Sequence, residues 1–307
     1  MVNSEQMPLN TLCSFSNYIP SVSELYCEQR TPLQKIVDCS LSLLRELNYA
    51  RVNFRRRVVD YFNPTYDFVE NGKSWRAESE GLYVLIHGLK GHPSIWQTHI
   101  EQLREETNRD LFVPYVPLRG NGPLEEVAHP ILKVIEDYVA LYPTKPICLI
   151  GVSNGGRICT WLEAQLRISA PQVPIKISTI AAVHFGSSRM NLVKRCRQWT
   201  GWGLGYDVSV IDDLCFGSHK AKEILDRISQ PLPPGVIRDF EFFASTEDLQ
   251  VPELSSSMPK LGNELQSVNN IVHGYNHNSI VAGVAIQQVK SCQEWMKKMS
   301  TQQRECL

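Results

Sequence analysis

The sequence predicts an α/β protein: a mainly parallel central sheet flanked by helices, with a cap or lid inserted at one edge. Three observations carry this expectation. Short continuous apolar runs such as "LYVLIHG", "PICLIGV" and "IKISTIAAVHF" read as strands buried on both faces. Segments with apolar residues at helical spacing separate them. One interval, from about Ser187 to Gly235, breaks the alternation with glycines and aromatics.

Bulk properties narrow the function classes. A chain of 307 residues can bury a full core as one large domain. Its 43% hydrophobic and 21% charged residues suit a soluble globular protein, and a net charge of −1 gives no global field for nucleic acid. Nine cysteines (Cys13, Cys27, Cys39, Cys148, Cys159, Cys196, Cys215, Cys292 and Cys306) form no CxxC, and several sit in apolar runs as small hydrophobes. Such usage fits a reducing compartment rather than a disulfide framework. The start, "MVNSEQMPLN", lacks the basic and apolar regions of a secretory signal, and no apolar run approaches a membrane span of roughly 20 residues. A cytoplasmic location is therefore the expectation.

The elements follow in order. Residues 1–80 read as an N-terminal extension, partly helical, that supplies the sheet's first strands or docks a partner. Thr31-Pro32 is a helix start, with Leu33, Val37, Leu41 and Leu44 on one face through about Leu47. "RVNFRRRVVDYF" reads as a strand or helix with a solvated basic face, or as a phosphate or partner patch. From Gly81 the alternation is regular. "LYVLIHG" is followed by a helix around Trp96, Ile100 and Leu103. "LFVPYVPL" has prolines that make it short or near an edge. Val127, Ile131, Val134, Ile135 and Tyr138 share the next helix face. After "PICLIGV", Ile158, Trp161, Leu162 and Leu166 form another. "IKISTIAAVHF" and "VIRDFEFFAS" are further strands, and a last helix spans about Ile280 to Met299. The interval 187–235 reads as an insertion over the sheet's carboxyl edge, where ligands of such sheets bind.

Gly151-Val152-Ser153-Asn154-Gly155 is a G-x-S-x-G pattern between a buried strand and a helix. A serine at so tight a turn needs glycine neighbours, and its position at a helix N-terminus favours developing negative charge. Taken with "YVLIHGLKGHPSIW", the "LIGVSNGG" stretch resembles the α/β-hydrolase superfamily, most closely its lipase and esterase branch. "HFGSS" and "DLCFGS" are similar to stretches of bacterial lipases, with less specificity. The resemblance covers about Gly81 to Met299. It implies Ser153 as nucleophile, with the backbone amides of Leu89 and Asn154 as oxyanion donors.

The same resemblance implies the order serine, acid, histidine. In "TEDLQVPELSSS", D-x-x-V-P resembles the family's acid loop and points to Asp248, with Glu247 as the adjacent competitor. Asp239 and Glu241 lie within the strand pattern. In "IVHGYNHNSIV", His277 fits the loop before the final helix, and His273 sits at the end of the last strand. His87 and Gly88 beside the oxyanion donors, and Trp199 and Trp202 in the insertion, are candidates for substrate contact. His87 also supports the oxyanion loop. His92, His99, His129, His184 and His219 read as core or surface residues. His87, His92 and His99 match no zinc spacing, so no metal is expected, and the chemistry requires no cofactor.

Three classes follow: a serine hydrolase of acyl or lipid esters, an acyl-thioesterase with the same triad, and a non-catalytic binding protein on the same scaffold. The aromatics of the insertion read as a plain inward-packed cap, or as a lid in transient contact with a lipid surface. The substrate expected is a small-molecule or lipid ester, and oligomeric state is not legible.

Overall fold

The computed structural model describes residues 29–62, 75–76, 78–105, 108–200, 205–252, 255–258 and 266–305. Its centre is a six-stranded sheet built from β1 (Leu82–Ile86), β2 (Asp110–Phe112), β3 (Ile147–Val152), β4 (Ile175–Ile180), β5 (Arg238–Ser245) and β6 (Gln266–Val272). The spatial order is β2-β1-β3-β4-β5-β6, with every pairing parallel. All residues of β1, β3 and β4 are buried, which is why these strands read as unbroken apolar runs. β2, from the proline-rich stretch, is three residues long at the sheet's edge.

Alternation along the strands divides two cores. On one face Leu82, Val84, Ile147 and Leu149 pack with α3 (Leu124–Leu141), α4 (Asn154–Ser169) and α7 (His219–Ile228). On the other, Tyr83, Leu85, Cys148 and Ile150 meet α2 (Gln97–Leu103) and α8 (Ser279–Glu305). The chain leaves β1 toward β2 on one side, then returns to place β3 on the other side of β1. That reversal opens a crevice beyond the carboxyl ends of β1 and β3.

Several boundaries differ from the sequence reading. The strand read over 175–185 stops at Ile180, because Ala181 takes a positive φ of 48° and breaks the extended run. The final helix extends from Ser279 to Glu305. The insertion contains α5 (Ser188–Thr200), α6 (Val208–Leu214) and α7. No side chain of α5 is buried, whereas Arg157 of α4, itself buried, pairs with Asp213 of α6 at 2.8 Å.

The N-terminal region departs most. Among the described residues no strand precedes β1; the chain forms α1, Pro32–Phe62, which continues well past Leu47 and takes in "RVNFRRRVVDYF" as helix. Thr31 and Gln34 cap it reciprocally, the Gln34 amide donating to Thr31 Oγ1 at 3.2 Å and the Thr31 amide to Gln34 Oε1 at 2.7 Å. The side of α1 turned to the body is polar. Asp38, buried Ser42, Arg45 and Glu46 lie there, while Leu33, Leu44 and Phe54 are 70%, 62% and 71% exposed.

Candidate active site

The loops after β1 and β3 meet at the crevice. Ser153 ends the turn between β3 and α4 at φ 56°, ψ −125°, a conformation strained for a residue with a side chain. Glycines make the turn feasible. A Cβ on Gly155 would strike the Ile86 carbonyl and come within 2.7 Å of the His87 carbonyl oxygen. One on Gly151 would lie 2.6 Å from the backbone of Gly155. Gly88, in the loop after β1, packs so closely that a Cβ there would stand 2.8 Å from Ser153 Cβ.

Leu89 follows, and its amide finds no acceptor among the described residues. The Asn154 amide is the first of α4, one of the N–H groups that lack an acceptor within a helix. The loop after β2 braces both. Leu118 and Arg119 take positive φ, the Lys90 amide donates to the Arg119 carbonyl at 2.7 Å, and Asn154 Nδ2 donates to the Gly120 carbonyl at 3.2 Å. His87 lies behind this loop. Its Nε2 accepts from the Val116 amide at 3.1 Å, so Nδ1 carries the proton donated to the Gly88 carbonyl at 2.9 Å. Burial lowers its pKa to about 4, consistent with a neutral ring. His87 does not line the cavity beside Ser153, so the structure gives it a bracing position rather than substrate contact.

Asp248 and His277 come from the loops after β5 and β6. His277 Nδ1 and Asp248 Oδ2 are 2.8 Å apart, and both side chains are buried. The carboxylate's other oxygen accepts from the amides of Gln250 and Val251 at 2.8 and 2.9 Å, which fixes its orientation. A carboxylate only accepts, so His277 Nδ1 holds the proton donated to Asp248. Burial lowers the pKa of this ring, but the charge and hydrogen bond of Asp248, with Glu46 behind, raise it by more. Asn276 Oδ1 joins the two loops by accepting from the amides of His277 and Leu249.

Ser153 and His277 line one cavity of about 150 Å³, together with Gly88 and Leu89. No hydrogen bond joins Ser153 Oγ to the imidazole among the described residues. Val183, Met190, Leu214 and Val251 form an apolar wall, and Lys90 Nζ sits 3.8 Å from the centre of the Tyr206 ring. The wall is fed by the insertion: Met190 by α5 and Leu214 by α6.

The other candidates are engaged elsewhere. Glu247 accepts from Arg30, Thr246 and the Gly274 amide. His273 Nδ1 meets Thr246 Oγ1 at 2.8 Å. Asp239 pairs with Lys176, and Glu241 accepts from Ser178. His92 Nδ1 meets Ser94 and His99 Nε2 meets Gln288. Asp38, Glu247 and His273 converge, but the guanidinium of Arg30 bonds both carboxylates. Trp199 is 91% exposed and does not line the cavity; Trp202 lies outside the described residues.

The sequence reading did not find Glu46, Asn276 or the loop at Arg119. Glu46 Oε1 accepts from Asn278 Nδ2 at 2.5 Å and Oε2 from the Ser279 amide at 3.1 Å. Arg45 donates to the Gly274 carbonyl at 2.5 Å and stacks on Tyr275. Helix α1 thus grips both ends of the His277 loop. For the third, the glycines and proline of "RGNGP" are a signal of irregular backbone that could have pointed to it.

No family model matches the sequence, and neither does any curated protein. Among solved structures the chain is similar to the metagenome-derived lipolytic enzymes LipS and LipT, at 12% identity over 73% of this chain and 96% of that one, TM-score 0.50. A mature lipase BlEst2 from Bacillus licheniformis matches at 13% identity over 69% of this chain and 90% of that one, TM-score 0.47. Phospholipase PlaB from Legionella pneumophila matches at 15% identity and TM-score 0.42 over 54% of this chain, which spans 40% of PlaB's length. At these identities the likeness shows the fold alone. The chain has the α/β-hydrolase fold: a mainly parallel sheet flanked by helices, with similarity to structures of the lipase and esterase kind.

Proposed function

We propose that the protein is a serine hydrolase of carboxylic esters, with Ser153 as nucleophile, His277 as general base and Asp248 as its orienting acid. One observation carries this reading: an imidazole bound through Nδ1 to a buried carboxylate shares a cavity with a serine held at a strained turn. His277 Nε2 removes the hydroxyl proton as Ser153 Oγ attacks the ester carbonyl. Asp248 stabilises the imidazolium that results. The Leu89 and Asn154 amides receive the oxyanion, an effect worth ~3 kcal/mol per donor. His277 then returns the proton to the leaving alcohol, and water repeats the cycle on the acyl-enzyme. The missing serine–histidine hydrogen bond is in keeping with catalytic contacts that tighten only around substrate.

The apolar wall favours an acyl chain in the cavity, and Gly88, in contact with Ser153, borders the scissile group. Helix α5 has no buried side chain and contributes Met190 to the cavity, which suits a lid over the acyl group. The test pairs a fluorophosphonate probe with ester turnover. The parent is expected to be labelled, and Ser153→Ala to lose labelling and at least ~10³-fold of its turnover. A folded parent that resists the probe would instead favour a non-catalytic role.

A further inference from the structure

Helix α1 is amphipathic in the opposite sense to a core helix. Asp38, Ser42, Arg45 and Glu46 meet the body, and its apolar side chains face solvent. Leu33, Ile36, Leu43, Leu44, Leu47 and Phe54 are each more than half exposed and fall within about half of the helix circumference. The 31 residues extend about 46 Å. The band from Leu33 to Phe54 covers about 32 Å of this and is outside the ordinary scatter of exposed hydrophobics. We propose that it is an interaction surface for an anionic lipid bilayer, on which α1 lies flat.

The charges select this occupant. Asp38 and Glu46 are turned to the body, where Arg30, Asn278 and the Ser279 amide bind them. Exposed Arg51 stands five turns from Leu33, in line with Leu33 and Leu44, and has no carboxylate partner among the described residues. A second copy packed on this face would bury Arg51 without a counter-charge. Anionic headgroups supply one, and the leucines enter the acyl boundary beside them. Because the net charge of the chain is −1, the attraction is local to this helix rather than global. No described helix is long and apolar enough to cross a membrane, so α1 rests on the surface. Through Glu46 it touches Asn278, which lines the cavity, so a bilayer under α1 borders the candidate site.

Vesicle flotation tests the proposal with the full chain. The parent is expected to float with phosphatidylcholine vesicles containing phosphatidylglycerol, and less with phosphatidylcholine alone. Leu44→Glu/Leu47→Glu is expected to float at least ~10-fold less. In the absence of vesicles it should melt and elute like the parent. Ser153→Ala should float as the parent does, since lipid binding stands apart from the hydrolase reading. A parent that never floats, or a charged variant that floats equally, overturns the proposal. So does a charged variant that melts lower without lipid, which would mean that the chain itself covers this face. A parental dimer split by the charges would assign the face to a second copy.

Discussion

At Ser153 the backbone is held at φ 56°, a conformation that glycine adopts without cost. A non-glycine residue there stores on the order of 1–3 kcal/mol. Ser153→Gly is therefore expected to raise the unfolding free energy by about 1 kcal/mol in urea denaturation while abolishing probe labelling. A destabilised Ser153→Gly protein would contradict the strain. The opposite sign is expected two residues on. The Cβ of Gly155→Ala must displace the Ile86 carbonyl, at a cost of about 1–3 kcal/mol in the same measurement. Both effects explain why the G-x-S-x-G pattern was informative: spacing alone is weak, but these glycines are places where backbone meets backbone.

At the scale of elements, α1 tunes as well as holds. Glu46 favours the charged form of His277, whose pKa is raised. His277 must be neutral to act as a base, so the acid limb of kcat/KM should fall above the ordinary histidine value. Removing the Glu46 charge destabilises the imidazolium. Glu46→Gln is expected to move the acid limb to lower pH in a pH–rate profile; a reduced plateau with an unmoved limb would leave Glu46 a purely structural role. Legibility followed burial. β1, β3 and β4 were plain in the sequence because every side chain is buried, whereas Asp248 and His277 were singled out by the resemblance alone, β6 before His277 being half-buried or exposed over 267–272. The pairing of α1 with the His277 loop had no mark, since Arg45 and Gly274 lie 229 positions apart. The Arg119 turn was hidden for another reason: Leu118 and Arg119 carry no residue-type signal for positive φ.

For the whole molecule, three buried histidines set the acid limit. Burial lowers the pKa of His87 and His99 to about 4 and of His184 to about 3. Between about pH 6.5 and 4 the unfolded chain binds these protons and the folded one does not, so stability falls as pH falls. Each histidine contributes ~1.4 kcal/mol per pH unit, and together they approach ~4. His277, raised instead, has the opposite sign: its contribution is present below pH 6.5 and is lost as the pH rises through its own higher pKa. The melting temperature is expected to collapse as the pH falls from 6.5 toward 5; a melting temperature unchanged from pH 7 to 5 would mean that these rings charge in place.

The grip of α1 on the His277 loop also has a consequence for biosynthesis. Contacts from Arg45 to Gly274 and from Glu46 to Asn278 span separations of 229 and 232 residues. The ribosome delivers the helix before its counterpart, with an interval between them on the order of ten seconds or more. The leucine-rich side of α1 therefore emerges well before the loop it grips, and the imidazole's surroundings are completed only once residues 274–279 have followed.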